Sequence, residues 1–231
     1  MAQSSPIFFL EKLSNQADLL ILPESITHHL RVRRELDIGF KLTLSDGTLY
    51  TNAHIENITK KAVYVRCELI QYVSPKTTSI HLYQAVLKPD AMAWVCQKAT
   101  EIGVSSIHPL LTERSQHHHW TAKTHEHLRK IIESAATQSH QLQLPVLAPV
   151  STLDQKVWAD KHTWFVAEFG GSRWPRSAPK QPLGILIGPE GGWSKKDVES
   201  FPAHVHKIEL TSSILRAETA ALVCLSLAFC T

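Results

Sequence analysis

The chain has 231 residues, with 24 Lys and Arg against 21 Asp and Glu, so its formal charge is +3. Hydrophobic residues make up 43% of it, as in one large globular domain or two modest ones. No apolar stretch approaches the roughly 20 residues that span a bilayer, and the N-terminus lacks the pattern of a secretory signal. Four cysteines are too few for a disulfide framework. The sequence therefore predicts a reduced, cytoplasmic protein with no membrane association, and its small charge does not by itself indicate nucleic-acid binding.

Residues 1–73 have the pattern of short strands joined by turns. Asp46 and Gly47 separate two alternating segments, which predicts a hairpin between strands at 41–45 and 50–58. A third strand is predicted over 62–70, where β-branched residues are enriched. These strands predict a small β-barrel or sandwich, followed by a linker at 73–79.

From residue 74 onwards, predicted strands alternate with helical patterns. Strands are predicted at 80–87, 107–111, 163–167, 183–187 and 207–210, and helices at 90–104, 121–141 and 215–229. Such alternation is typical of an α/β domain with a mostly parallel sheet. Trp94 and Trp158 have apolar neighbours at helical spacing and are predicted to lie in the core. Residues 170–182 are predicted to form a loop.

The most informative motif is LIGPEGG, from Leu186 to Gly192, in which an apolar strand leads directly into a glycine-rich loop. Ligands of open α/β sheets bind at the carboxyl ends of strands, and glycines there allow a ligand to approach the backbone. The loop has neither the P-loop nor the dinucleotide-binding spacing. Ser194 and Asp197 resemble a capping box, so a capped turn without a ligand is the alternative.

A second strand end leads into a helix at LTSSILRAETA, which begins at Leu210. Glu218 suits the positive end of this helix, whereas Arg216 does not. A cation in that position favours an anionic partner or ligand, and the alternative is an ordinary surface ion pair.

LIGPEGGWSKKDVE and LTSSILRAETAAL resemble the two cofactor loops of the SPOUT methyltransferases. More narrowly, the chain is similar to the 16S rRNA (uracil-1498-N3)-methyltransferases. The similarity includes HLRVRR from His29, QKATEIGV from Gln97, TERS from Thr112 and AATQS from Ala135, which occur in the same order as in that family. It therefore extends over nearly the whole chain.

The resemblance implies a PUA-like RNA-binding β-barrel over 1–73 and a trefoil-knotted α/β domain over 74–231. The second domain is expected to bind S-adenosylmethionine, to work as a homodimer without a metal, and to methylate N3 of a uridine in 16S rRNA. The expected substrate is the assembled small ribosomal subunit. Two alternatives are a tRNA methyltransferase of the same superfamily and a non-catalytic RNA-binding assembly factor.

The resemblance also implies roles for individual residues. Arg216 is expected to stabilise negative charge on the uracil oxygens, with Glu218 or Glu190 accepting the N3 proton, unless Glu218 only orients Arg216. The residues expected to bind the cofactor are Leu186, Ile187, Gly188, Pro189, Glu190, Gly191, Gly192, Leu210, Ser212, Ile214, Leu215 and Thr219. Those expected to bind RNA phosphates are Arg31, Arg33, Arg34, Lys60, Lys61 and Arg114, with Arg66 as a further candidate.

The sequence departs from the family pattern at several positions. Thr211 and Ser213 replace a glycine and a basic residue, and His140 with Gln141 replaces a Gly-Arg pair. Arg33 replaces an apolar residue. The basic side chain missing at Ser213 removes an expected RNA contact.

A run of histidines at His117, His118 and His119 raises the question of a metal site. Three consecutive side chains do not converge easily on one ion, and no CxxC or HExxH motif accompanies them. A polar loop is the favoured interpretation. Trp193, beside the glycine loop, is a candidate to face the cofactor or the substrate.

Overall fold

A computed structural model describes residues 5–16, 18–33, 35–76, 79–115, 120–153, 157–159, 161–175 and 182–230. The chain forms two compact units. The first comprises Met1–Pro75 and Ala136–Leu144, and the second Lys76–Ala135 and Pro145–Thr231. The assignment of 1–73 to RNA binding and of 74–231 to methyl transfer stays a prediction.

The first unit contains a six-stranded mixed sheet. Its strands are β1 (Ile7–Phe9), β2 (Leu19–Ile21), β3 (Lys41–Ser45), β4 (Leu49–Ile58), β5 (Val63–Cys67) and β6 (Gln71–Tyr72). They are ordered β1-β3-β4-β5-β2, and β6 pairs with β4. The β1–β3 pair is parallel and the others are antiparallel. The predicted β3–β4 hairpin is confirmed, whereas the strand predicted over 62–70 is shorter, because β5 ends at Cys67. A mixed sheet does not by itself establish the predicted barrel.

A helix, α1 (Glu24–Val32), interrupts the strands of the first unit, so the expectation of strands and turns alone was wrong there. Ile26 and Leu30, four residues apart, are buried on one face of α1. They pack into a core that includes Leu42, Ile55 and Val65 from the sheet. Two apolar positions in a polar segment give a weak helical signal, which explains the missed helix.

The segment 136–144 belongs to the first unit through hydrogen bonds to the β3–β4 hairpin. Ser45 Oγ donates to the Leu142 carbonyl at 2.7 Å, and Gln143 Nε2 donates to the Gly47 carbonyl at 2.9 Å. His140 has a φ of 54°, a left-handed conformation that glycine adopts freely and histidine less easily. This chain therefore keeps, with His140, a backbone conformation suited to the glycine expected from the family pattern.

The second unit is an α/β domain with a parallel sheet, as predicted. Its strands are β7 (Ile80–Ala85), β8 (Ser106–Leu111), β9 (Val146–Leu147), β10 (Ser151–Thr152), β11 (Thr163–Ser172), β12 (Leu183–Ile187) and β13 (His206–Ile208). The order is β10-β8-β7-β12-β11-β13, with β9 paired to β8, and every pair is parallel. All five residues of β12 are buried. Part of the predicted loop at 170–182 is the end of β11, and 176–181 lie outside the described residues.

Close packing on the sheet requires a glycine within β12. A Cβ at Gly184 would overlap the Trp164 ring, so a larger residue would displace that buried side chain. Trp164 makes edge contacts with Tyr83 and with Trp158, which is half-buried against this core. The predicted core position of Trp158 agrees with this packing.

The helices of the second unit are α2 (Pro89–Ile102), α3 (Ala122–Gln138), α4 (Lys195–Ser200) and α5 (Ala217–Cys230), with a 3₁₀ turn at Val157–Ala159. Helix α2 packs on α5, which also contacts β7 and β12.

Burial raises the pKa of the Cys96 and Cys224 thiols to about 12, so neither supplies a thiolate at neutral pH. Within the described residues, no helix has the length and apolarity needed to cross a bilayer.

Trp94 does not lie in the core as predicted, because its side chain is 38% exposed. The buried face of α2 is formed by Met92, Val95, Cys96 and Ala99, and Trp94 lies to one side of it. The apolar pattern was interpreted correctly as a helix, but Trp94 does not belong to its buried face.

Candidate functional site

A cleft of about 880 Å³ lies at the carboxyl ends of β12 and β13 and beside the middle of β11, within the second unit. Its walls are the loop after β12, the loop between β13 and α5, the middle of β11 and the start of α2. Strand β7 lies between β8 and β12 in the sheet, so the strand order reverses beside it. Open α/β sheets bind ligands at such a reversal, and cavities of this size hold ligands as large as nucleosides.

The glycine loop, defined as Gly188–Gly192, follows β12 directly and forms a tight turn. The Gly192 N–H donates to the Pro189 carbonyl at 2.9 Å, and Gly192 has a φ of 66°. A Cβ at Gly188 would lie 3.1 Å from the ring of Trp193, which lines the cleft. Trp193 is held in place because its Nε1 donates to the Ala167 carbonyl at 3.1 Å. The backbone of Gly188 is therefore open to a ligand while its α-carbon is covered by Trp193.

Helix α4 begins immediately after this loop with the capping box expected from the sequence. The Asp197 N–H donates to Ser194 Oγ at 3.1 Å, and the Ser194 N–H donates to Asp197 Oδ2 at 2.9 Å. Both side chains are buried. The predicted capping box is therefore present, and the glycine loop that precedes it also forms a wall of the cleft.

Arg114 supports the glycine loop from outside the cleft. Its Nη1 donates to the carbonyls of Gly191 and Trp193, each at 3.1 Å. The turn that carries Arg114 is fixed by Thr112 and Ser115, whose hydroxyls lie 3.0 Å apart and are buried. Arg114 is exposed and does not line the cleft. It was predicted to bind RNA, and the structure gives it a loop-supporting contact that the sequence did not predict.

The loop between β13 and α5, which we call the second loop, carries the predicted catalytic residues. Arg216 immediately precedes α5, its side chain is 86% exposed, and its Nη1 lies 4.0 Å from Glu218 Oε1. Thr211 Oγ1 donates to the Ser213 carbonyl at 2.7 Å, which tightens the loop at a position where the family resemblance led us to expect glycine. Arg216 and Glu218 both line the cleft.

Acidic side chains outnumber basic ones on the wall of the cleft. The carboxylates are those of Asp90, Glu168, Glu190, Glu209 and Glu218, and the cations are Lys88 and Arg216. Glu190 Oε1 accepts the Lys88 backbone N–H at 3.3 Å, which places this carboxylate at the start of α2. The wall is therefore suited to a ligand that carries positive charge.

Most residues predicted to bind the cofactor do line this cleft. They are Ile187, Gly188, Pro189, Glu190, Gly191, Gly192, Leu210, Ile214 and Leu215. Three others do not line it: Leu186 is fully buried in the core, and Ser212 and Thr219 are exposed outside it. The sequence missed the contributions of Lys88, Asp90 and Glu168, although the rule that located the loops, the end of a parallel strand, applies also to β7 and β11.

The basic residues predicted to bind RNA in the first unit are exposed. Arg31 and Arg33 lie at the end of α1, Lys60 and Lys61 lie in the β4–β5 turn, and Arg34 lies outside the described residues. Arg66 is already neutralised, because its guanidinium contacts Asp18 at 2.7 Å and Glu56 at 2.8 Å. These two carboxylates compensate much of its charge, and its contact with RNA phosphate stays a prediction.

Among the described residues, no group of three or more His, Cys, Asp or Glu side chains is arranged to hold a metal ion. The predicted polar loop at His117–His119 lies outside the described residues.

The model of the RNA methyltransferase domain family matches residues 74–229, so the chain belongs to the RNA methyltransferase family. It is 26% identical to ribosomal RNA small subunit methyltransferase E of Rickettsia conorii, over 95% of this chain and 93% of that protein. The predicted family membership is thereby confirmed.

Two solved structures are similar to the whole chain. A Legionella pneumophila methyltransferase in complex with S-adenosylmethionine has a TM-score of 0.88 and 31% identity, over 99% of this chain and 98% of that one. Ribosomal RNA small subunit methyltransferase E of Neisseria gonorrhoeae, bound to S-adenosylmethionine, has a TM-score of 0.86 and 25% identity, over 96% of each chain.

Proposed function

We propose that this chain transfers a methyl group from S-adenosylmethionine to N3 of a uridine in the 16S rRNA of the small ribosomal subunit. The observation that carries the proposal is the cleft formed by the glycine loop and the second loop at the carboxyl ends of parallel strands. The names of its relatives and the cofactor in two similar structures support the same reaction. A ribosomal substrate also supports a cytoplasmic location.

The residues of the cleft fit S-adenosylmethionine. Ile187, Leu210 and Leu215 offer apolar surface to the adenosine, and Ile214, whose side chain is 85% exposed, extends this surface at the mouth. Backbone groups of Gly188 and its neighbours offer hydrogen bonds. The acidic wall complements the positive charges of the sulfonium and ammonium groups. When bound, the cofactor supplies an already activated methyl group, so the reaction needs no metal.

The chain's own contribution to the reaction is to align uracil N3 and to stabilise the charge that develops as N3 loses its proton. That charge spreads onto O2 and O4, and a guanidinium donates to two acceptors at once. Arg216 is exposed at the cleft with no carboxylate closer than Glu218, at 4.0 Å, among the ion pairs of the described residues. Glu218, beside Arg216, and Glu190, whose Oε1 accepts the Lys88 N–H at 3.3 Å, are the two proposed acceptors of the N3 proton.

The proposal also includes the folds of the two units and the oligomeric state. The first unit is proposed to be a PUA-like RNA-binding barrel and the second to contain the SPOUT trefoil knot, as the family resemblance implies. Two copies are proposed to form a homodimer. Helix α5 supports this, because it is apolar around most of its circumference and Phe229 remains 41% exposed.

We expect methyl transfer to assembled small subunits and little or none to tRNA. The experiment uses tritium-labelled S-adenosylmethionine with unmodified small subunits, free 16S rRNA and total tRNA as three separate substrates. Transfer to tRNA alone would instead identify a tRNA methyltransferase. Binding of small subunits without transfer to any of the three would identify an assembly factor.

We expect charge reversal in the first unit to weaken RNA binding without affecting the cofactor. Replacing Lys60 and Lys61 with Glu removes two phosphate contacts, so the slope of log K against log salt concentration should fall by about two units. Replacing Arg31 and Arg33 should act in the same way. RNA binding is measured by filter retention between low and moderate salt, and cofactor binding by calorimetry.

The matched control for these variants is Lys161→Glu, an exposed position that precedes β11 in the second unit. It should leave the salt dependence unchanged. A loss of cofactor affinity equal to the loss of RNA affinity would show that the first unit does more than bind RNA, and would contradict the assignment.

A further inference from the structure

Glu168 occupies the part of the cleft where its two principal loops meet. Strand β11 lies between β12 and β13. Its pairing with β12 ends at Val166 and its regular pairing with β13 at Ala167, so Glu168 is the next residue along β11. The glycine loop starts on one side of this position and the second loop on the other. Glu168 lines the cleft but belonged to no predicted set of site residues.

One oxygen of the Glu168 carboxylate has no hydrogen-bond donor. Oε2 is buried and unpartnered among the described residues. The neighbouring Trp193 Nε1 is already committed to the Ala167 carbonyl. A buried anionic oxygen without a donor is costly, and the cost is removed when a donor binds. Glu168 as a whole is only half-buried and lines the cleft, so a rotation of its terminal carboxylate bond would present this oxygen to a donor bound there.

A cationic donor suits this position better than a neutral hydroxyl. The wall of the cleft contains five carboxylates and two cations, so it favours a positively charged group. An ammonium group presents three N–H donors with a full charge, and charge-assisted hydrogen bonds to a carboxylate are about twice as strong as neutral ones.

We propose that the Glu168 carboxylate binds the α-ammonium group of the amino-acid moiety of S-adenosylmethionine. This inference rests on the proposed function, because it takes that cofactor to be the ligand of the cleft. Glu168 is then a residue that selects nucleosides with an amino-acid side arm over nucleosides that lack one. Its contact is with a part of the cofactor that does not change during methyl transfer.

The test compares three ligands on the Glu168→Gln variant. S-adenosylmethionine and S-adenosylhomocysteine carry the ammonium group, whereas 5′-methylthioadenosine has the same adenosine without the amino acid. Calorimetry should show about a tenfold loss of affinity for the first two and an unchanged affinity for the third. The unchanged affinity for 5′-methylthioadenosine also reports an intact pocket.

Glu199→Gln is the matched control, because Glu199 is an exposed acid on α4 that does not line the cleft. It should leave all three affinities unchanged. Equal losses for the three ligands on Glu168→Gln, or no loss for any, would overturn the ammonium contact. Failure of the wild-type protein to bind S-adenosylmethionine would instead overturn the proposed function.

Discussion

Replacing Arg216 with Ala should lower the rate of methyl transfer at saturating RNA by about 10²-fold or more, with less than about a twofold change in S-adenosylmethionine affinity. Arg216 precedes the 14-residue helix α5, where the helix dipole disfavours a cation. Its nearest anionic partner is at 4.0 Å and its side chain is 86% exposed, so little in the folded protein compensates that charge. An anionic transition state would compensate this charge, so the loss of Arg216 is expected to slow the methyl-transfer step.

Single-turnover kinetics measures this effect directly, because it separates methyl transfer from substrate binding. Arg216→Lys should restore only part of the rate, since an ammonium group lacks the planar fork that contacts two oxygens. Lys195→Ala is a suitable control: Lys195 is a highly exposed cation on α4, 3.8 Å from Glu199, outside the cleft. A normal rate with weakened cofactor binding in Arg216→Ala would instead assign Arg216 to the cofactor pocket.

Replacing Gly188 with Val should reduce S-adenosylmethionine affinity by about 10- to 100-fold. A Cβ at this position would already lie 3.1 Å from the Trp193 ring, and the two additional methyl groups of Val increase the crowding. Trp193 must then move away from the Ala167 carbonyl and alter the wall of the cleft. The measurement is calorimetry with the cofactor, accompanied by thermal unfolding to verify that the variant is folded.

Gly188→Ala provides the graded comparison, since one methyl group requires Trp193 to shift by only a few tenths of an ångström. Its affinity should fall by only about threefold. Wild-type affinity in a folded Gly188→Val variant would mean that the glycine loop does not form the binding surface, and would contradict the site described above.

The two loops of the cleft could be predicted from the sequence because their signals are local. A buried strand, a glycine-rich turn and a capped helix are adjacent along the chain at Ile187–Asp197, and the start of α5 follows the same pattern at Arg216. The roles of individual residues in these loops came from the family resemblance. These local patterns located the site but did not identify its ligand.

Glu168 was missed because its position in the site depends on the order of the strands in the sheet. Strands β11, β12 and β13 follow one another in the chain, yet β11 lies between the other two. The sequence predicts the strands but not their order in the sheet, so it did not indicate that Glu168 lies between the two loops. The contacts of Arg114 with Gly191 and Trp193 were missed for a related reason, since they join distant parts of the chain.

The first unit was predicted less well than the second. Helix α1 is only nine residues long, with two buried positions, and its basic residues obscured that weak apolar pattern. The parallel pairing of β1 with β3 joins strands separated by β2 and α1, which no hairpin signal indicates. The alternating strands around Asp46 were predicted correctly, because a hairpin depends only on neighbouring residues.

The identity of the methylated nucleoside tests the central claim most directly. Small subunits without the modification are incubated with the purified protein and S-adenosylmethionine carrying a labelled methyl group, and the 16S rRNA is digested to nucleosides. The proposed function predicts that the label appears as 3-methyluridine, in a yield that approaches one methyl group per subunit. Label in any other nucleoside, or no transfer by protein that binds the cofactor, would contradict it.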